Sequence, residues 1–298
     1  MGQVKDITYE ATYREPVKNH LIPYFKNKYI HEITPSDIQQ FFNEKATYCS
    51  LESQKKFKNC LRGIFSTAVE NKICPSSPLT SSLRLWTEVS PIIKRSWTQQ
   101  QYEIAYNFAR CHDKGLAIMV LLETAISRSE LLGLTWNDFD WKQNCLHIEN
   151  GLIECRNSKT GGWELMHEGL KNSHRRRAVP ISKELTTRIA LEPRYIAASN
   201  MQEIATDFIF CSPKGKGYSP KNWYHRVFKK YMQDLCDMYP DIPMLTTHEL
   251  RHTRATLLTY QGVDLYTVAR LMGHRDLTML SQRYVHDDLE AMRKEINI

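Results

Sequence analysis

Two interruptions in the helical pattern divide this chain and limit the folds that it can adopt. The first is the segment Cys74-Pro75-Ser76-Ser77-Pro78, where proline and serine residues end a block of amphipathic helices. The second is the segment 89–96, which contains proline, is polar and basic, and has no clear period. The pattern predicts a small helical domain over residues 1–88, a linker over 89–96 and a larger domain over 97–298.

The first domain is predicted to consist of helices. Apolar residues recur at helical spacing from Tyr9 to Leu21, from Ile38 to Phe42 and from Phe57 to Ala68. Pro23 is expected to end or bend the first of these helices. The third helix has a basic face, which is either a solvated surface or a set of contacts to DNA by Lys55, Lys56, Lys58 and Arg62.

The second domain combines helices with a few strands. Leu116 to Leu122 indicate an apolar helix, and Cys145–Glu149 and Arg177–Ile181 have the pattern of strands. Gly161-Gly162 indicates a hairpin turn or an insertion, and the pattern from Ser182 onward is mostly helical. The predicted fold class is therefore mainly α with a small antiparallel sheet (α+β).

Composition excludes several classes of protein. The formal net charge of +7 suits a polyanionic partner but does not prove one, and 42% hydrophobic residues are enough for real cores. Eight scattered cysteines form no C-x-x-C pair or zinc-ligand spacing, so we expect no metal and a reducing cytoplasm. No apolar run approaches the roughly 20 residues that a membrane span needs.

The most informative residues lie near the end of the chain. A helix beginning near Thr247 would place His248 and Arg251 on one face. Gly262 is placed to end that helix, and Asp264 to cap a shorter one that ends in Met272-Gly273-His274. A final helix from about Leu277 would present Tyr284.

These residue types together suit chemistry on a phosphodiester. An arginine can hold the non-bridging oxygens with a planar fork of donors that stays charged. Histidines can donate to phosphate oxygens or move protons near neutral pH. A tyrosine can act as a nucleophile whose covalent ester stores the bond energy, so that rejoining needs no ATP.

The order H-x-x-R, then G-H, then Y ten residues later resembles the tyrosine recombinase (phage integrase) family, whose catalytic domain covers about the last two-thirds of such a chain. The resemblance implies that Arg251, His248 and His274 act on the scissile phosphate. It also implies that Tyr284 attacks it to give a 3′-phosphotyrosyl link, without a metal or other cofactor. The helical first domain resembles the family's core-binding (SAM-like) domain, and the chain is expected to lack an arm-binding domain.

The resemblance also implies a general acid in a β-hairpin. Lys171, nine residues before Pro180, matches the family's lysine, and Lys159 in Ser158-Lys159-Thr160 is the competing candidate. The basic run that follows, Arg175, Arg176 and Arg177, is interpreted as a solvated patch or one that contacts phosphates.

One segment departs from the family pattern T-G-x-R-x-x-E-L. It reads Thr124-Ala125-Ile126-Ser127-Arg128-Ser129-Glu130-Leu131, so Ser127 occupies the slot of the first arginine and Arg128 follows it. Three interpretations stay open: Arg128 reaches the phosphate from an altered backbone, the enzyme is impaired, or another basic residue substitutes. Ala125 in place of the usual glycine suggests an altered backbone, and Glu130 is expected to brace the site.

The predicted function is site-specific DNA recombination that integrates or excises a bacterial mobile element. The family implies a C-shaped clamp on double-stranded DNA, a homotetramer on synapsed sites, accessory DNA-bending or directionality factors, and a cytoplasmic, nucleoid-associated protein. The tail 287–298 is a candidate for docking on a neighbouring protomer or a plain surface helix. The alternatives are a catalytically impaired DNA-binding accessory protein, favoured by Ser127, and a type IB topoisomerase.

Overall fold

The computed structural model describes residues 9–90, 95–157, 160–170, 175–192, 208–212 and 215–274. The chain divides into two compact units, one of Met1–Ile93 with Cys155–Glu164 and one of Lys94–Glu154 with Leu165–Ile298. The segment 155–164, which the sequence assigned to the second domain, therefore groups with the first unit. The boundaries 1–88, 89–96 and 97–298 stay predictions.

The first unit is helical in its described residues outside 155–164. Its elements are the π-helical turns Tyr9–Arg14 and Val17–Leu21, helix α1 (Ile22–Phe25), the 3₁₀ turn Ile30–Glu32, helix α2 (Pro35–Ala46) and helix α3 (Leu51–Glu70). Pro23 does not end the helical path, because Leu21 and Ile22 keep right-handed helical backbone angles and the turn Val17–Leu21 continues directly into α1. The apolar faces of these helices meet in one core that includes Phe41, Phe57 and Phe65.

The second unit contains most of the helices and has a separate core, and two of its strands extend into the segment 155–164 that groups with the first unit. In chain order its elements are α4 (Gln99–Cys111), α5 (Gly115–Thr124), α6 (Arg128–Gly133), the 3₁₀ turn Trp136–Asp138, β1 (Phe139–Asp140), β2 (Cys145–Ile148), β3 (Asn150–Arg156), β4 (Trp163–Gly169), β5 (Arg177–Pro180), α7 (Lys183–Ala190), α8 (Pro220–Trp223), the π-helical turn Tyr224–Phe228, α9 (Lys229–Met238), α10 (Thr247–Tyr260) and α11 (Leu265–Met272). The predicted fold class, mainly α with small antiparallel sheets, is confirmed.

Two small sheets accompany these helices. Strands β1, β2 and β5 form an antiparallel sheet in which Cys145 lies opposite Asp140 on one side and Pro180 on the other. Strands β3 and β4 form a two-stranded sheet joined by a turn in which Gly161 has a φ of 69°. Of the two interpretations of Gly161-Gly162, the hairpin turn is confirmed, although neither β3 nor β4 was predicted.

Helix α5 is the centre of the second unit. Of its ten residues, all but Glu123 are buried, as the apolar run Leu116 to Leu122 predicted. Trp97 ties the start of the unit to α10, because its backbone N–H donates to Thr253 Oγ1 at 3.1 Å. Its indole N–H donates to the carbonyl of Pro243 at 2.9 Å. Within the described part of the chain, no helix is both long and apolar enough to cross a lipid bilayer.

Candidate active site

Helix α10 carries two of the predicted catalytic residues, His248 and Arg251. Thr246 caps it by accepting from the Glu249 N–H at 3.2 Å, and Glu249 accepts from the Thr246 N–H at 2.8 Å. This capping box sets the start of the helix at Thr247, as predicted. Because residues three or four apart share a helix face, His248, Arg251 and His252 lie together.

Arg251 is turned into the protein. Its side chain is only 8% exposed, and its Nη1 lies 3.5 Å from Glu130 Oε2. Its Nη2 also donates to the carbonyl of Met272 at the end of α11. A guanidinium held by a carboxylate and a carbonyl is fixed in direction, as a group that receives a phosphate must be.

Glu130 is the carboxylate at the centre of the cluster. Its Oε2 accepts from the Ser127 N–H at 2.7 Å, and its carboxylate lies against two guanidinium groups, those of Arg177 and Arg251. Burial alone raises the pKa of Glu130, but the hydrogen bonds and charge of Arg177, then the charge of Arg251, outweigh burial and lower it. Glu130 is therefore an anion that braces cations, as expected from the sequence.

Ser127 and Arg128 stand at the start of α6. Ser127 is the N-cap, and its side chain accepts from the Glu130 N–H. Arg128 is the first helical residue, and its guanidinium carbon lies 6.0 Å from the centre of the Tyr224 ring. Ala125 adopts a left-handed φ of 52°, the conformation that glycine favours, so alanine in place of glycine does not by itself exclude this turn.

His248 and His252 form a pair of imidazoles. Their Nε2 atoms lie 3.1 Å apart and their ring planes are almost perpendicular. One Nε2 must accept while the other donates, so the pair is suited to holding or passing one proton. His248 is exposed and His252 is buried. His252 was not predicted to have a role, although its spacing of four residues from His248 was a usable signal.

His274 follows the end of α11. Asp264 caps this helix by accepting from the Thr267 N–H at 2.9 Å, and Gly273 ends it with a left-handed φ of 66°, so both predicted ends are confirmed. The N–H of His274 donates to the carbonyl of Ala269 at 2.9 Å. His274 lines a cavity of about 680 Å³ whose other basic lining residues are Arg176, Arg177, Arg254 and Arg270.

The three arginines before β5 are not equivalent. Arg175 and Arg176 are exposed, whereas the side chain of Arg177 is 8% exposed and contacts Glu130. In the first unit, Lys55, Lys56 and Arg62 on α3 are exposed and Lys58 is half-buried. Lys55 also pairs with Glu52 at 3.0 Å. Three site residues from the sequence analysis, Lys171, its competitor Lys159 and Tyr284, lie outside the described residues.

Three residues of types that often bind metals cluster elsewhere in the sequence. Among the described residues, Asp140, Cys145 and His147 have ligand atoms within 4.8 Å of one another. The strand register explains this proximity, because Asp140 lies opposite Cys145 and His147 is two residues along the same strand. Asp140 Oδ1 already accepts from the N–H groups of Lys142 and Gln143. The cluster is thus accounted for by the β1–β2 turn.

Comparison with known families identifies the class to which this chain belongs. The family model for the phage integrase family matches residues 95–290, and the model for the phage integrase N-terminal SAM-like domain matches residues 2–46. The chain belongs to the phage integrase family. The class predicted from the motifs, a tyrosine-type site-specific recombinase, is confirmed.

Several relatives are similar over most of this chain. A "tyrosine recombinase XerC-like" protein of Caldanaerobacter subterraneus subsp. tengcongensis is 23% identical, over 94% of this chain and 73% of that protein. The transposase from transposon Tn916 of Enterococcus faecalis is 24% identical, over 90% of this chain and 66% of that protein. The chain therefore spans about two-thirds of the transposase that it matches.

Solved structures show the same fold. The Tn1549 transposon integrase, in complex with a circular intermediate DNA, aligns with a TM-score of 0.71 at 20% identity, covering 99% of this chain and 94% of that one. The XerH site-specific recombinase, bound to its difH substrate, aligns with a TM-score of 0.63 at 18% identity. That alignment covers 96% of this chain and 78% of that one.

Proposed function

We propose that this chain recombines double-stranded DNA at the ends of a mobile element, through a covalent link between Tyr284 and a 3′-phosphate. The observation that carries the proposal is the convergence of Arg251 on Glu130 between the ends of α6 and α11. His248, with its partner His252, lies on the same helix as Arg251. This arrangement provides a fixed cation and a proton-handling pair at one place.

The residues divide the chemistry among them. Arg251 and Arg128 hold the non-bridging oxygens of the scissile phosphate, where preorganised donors of this kind contribute about 3–4 kcal/mol each to lowering a barrier. The Tyr284 oxygen attacks phosphorus, and the bond to the 5′ oxygen breaks. Lys171 protonates the departing oxygen, with Lys159 as the alternative acid, and His248 and His274 support the phosphate and its protons.

Strand exchange by this chemistry also requires a second DNA duplex and further protomers. A free 5′ hydroxyl on a second duplex attacks the phosphotyrosyl bond and releases Tyr284, so two exchanges pass through a Holliday junction. Four protomers on two synapsed sites satisfy this requirement, with accessory DNA-bending or directionality factors choosing integration or excision. The two domains would hold the duplex through phosphate contacts from α3 and from Arg175 and Arg176, and the protein would act at the nucleoid.

Replacement of the nucleophile tests the proposal. On a nicked suicide duplex from the junction of the native element, wild type should accumulate a covalent adduct that survives denaturing electrophoresis. Tyr284→Phe removes only the attacking oxygen, so it should give no adduct while its affinity in a gel shift stays within about twofold of wild type. An adduct formed by Tyr284→Phe would remove Tyr284 from this role.

The second candidate function is a DNA-binding accessory protein without catalysis, which is favoured by Ser127 in the slot of the first arginine. The same experiment separates the two functions. If wild type shifts the duplex but forms no adduct, while Ser127→Arg gains one, the natural protein is an impaired member of its class. Loss of the adduct in Arg128→Ala would instead assign Arg128 to the phosphate.

A further inference from the structure

Arg177 has a different environment from the two arginines before it. It begins β5, and in the register with β2 it lies opposite Ile148, at the edge of the sheet nearest α11. Its side chain is 8% exposed, whereas Arg175 and Arg176 are exposed. A buried guanidinium must have its donors satisfied, so its partners indicate its role.

Most of those donors are committed within the protein. Arg177 Nη1 and Nη2 donate to the two carboxylate oxygens of Glu130 at 3.0 and 3.2 Å. Nε donates to the carbonyl of Leu271 at 2.6 Å, and Nη1 also donates to the carbonyl of Arg175 at 2.9 Å. Four of the five N–H groups of a guanidinium are thereby used, so Arg177 lacks a free fork for a phosphate.

Arg177 and Arg251 do not contact Glu130 equally. The Glu130 side chain is 5% exposed. Its carboxylate accepts hydrogen bonds from Nη1 and Nη2 of Arg177, whereas Nη1 of Arg251 lies 3.5 Å from Oε2. These three described side chains, two cations and one anion, sum to a formal charge of +1. With Glu130 and Arg251 alone, the carboxylate would pair with the one guanidinium intended for the substrate, and the net charge would be zero.

Building on the proposed function, we propose that Arg177 is a positioning residue that acts on the scissile phosphate through Glu130 and Arg251. By taking the two-pronged contact with Glu130, it keeps that carboxylate from forming the same contact with Arg251. It is a second buried guanidinium beside Arg251, and the contact with the phosphate stays with Arg251 and Arg128.

The end of α11 supports this role. Arg177 and Arg251 donate to successive carbonyls, those of Leu271 and Met272, at the helix end where the backbone dipole favours cations. Gly273 makes room for the arrangement, because a Cβ there would lie 2.8 Å from Arg177 Nη1. The two guanidinium groups are therefore fixed to the same helix end that leads to His274.

The test is a charge rescue in the full chain, with wild type measured beside every variant. Arg177→Met should slow the single-turnover rate of adduct formation at saturating DNA on the order of tenfold or more, because Glu130 then pairs with Arg251. Adding Glu130→Gln removes the unbalanced carboxylate, so the double variant should regain a severalfold part of that rate. Arg110→Met, which breaks an exposed Arg–Glu contact with Glu184, is the matched control and should cleave like wild type.

The outcomes separate this inference from the proposed function. Adduct formation by wild type reports on the recombinase proposal, whereas the ratios among variants report on Arg177. Rates are taken below the unfolding temperature of each variant, so that loss of folded protein does not enter. A double variant no faster than Arg177→Met overturns the inference. So does an Arg177→Met protein that cleaves bound DNA at the wild-type rate but binds it more weakly, which would make Arg177 a DNA contact.

Discussion

At the scale of single residues, the charge state of Glu130 is coupled to the stability of the fold. Its pKa is lowered from an ordinary value of 4.5 because two guanidinium groups favour the anion more than burial opposes it. A group with a lowered pKa in the folded state stabilises the fold above its ordinary pKa. That stabilisation is lost as the pH falls through the lower, folded-state value.

Glu130→Gln should therefore unfold more easily than wild type at neutral pH, because it leaves two buried cations without an anion. The difference in free energy of unfolding should stay constant down to about pH 5 and shrink below the ordinary carboxyl range. Urea denaturation at a series of pH values measures it. Glu184→Gln, at an exposed ion pair, should show little difference at any pH. A gap at Glu130 that widened in acid would contradict this assignment.

At the scale of elements, the start of α6 shows why the first arginine slot can hold a serine. Ser127 and Glu130 satisfy each other's backbone N–H groups, and this capping box begins the short helix that delivers Glu130. Ser127→Ala should cost about 1 kcal/mol in free energy of unfolding, the usual effect of losing an N-cap. Thermal or chemical denaturation measures this cost. Ser66→Ala, at an exposed serine within α3, is the control, and an equal loss there would refute a specific capping role.

Elements were predictable where local chemistry decides them. The capping of α11 by Asp264 and its end at Gly273 follow from side-chain hydrogen bonding and positive φ, which are properties of a few adjacent residues. The inward turn of Arg177 was not predictable, because three consecutive arginines look alike until Glu130 and Leu271 are brought to them. These contacts join residues far apart in sequence, so no local pattern reports them.

At the scale of the whole molecule, we expect the net charge of +7 to favour DNA binding mainly through particular basic faces, such as that of α3. Replacing Lys55, Lys56 and Arg62 of α3 with glutamine should weaken binding to any duplex. It should also flatten the dependence of log affinity on log salt concentration by about 0.9 for each lost phosphate contact. Gel shifts at several salt concentrations measure this slope. Lys183, Lys229 and Lys230, exposed lysines of the second unit, form the control set, and an equal flattening there would contradict a DNA-binding face on α3.

The contact at Gly273 also limits how this sequence can change. Residue 273 needs a left-handed backbone, and the space where its side chain would stand is filled by the guanidinium of Arg177. Asparagine, which often tolerates that backbone, would still collide with the guanidinium. Positions 177 and 273 should therefore covary in descendants of this chain. Arginine at 177 and glycine at 273 should be kept together, and a change at one should accompany a change at the other.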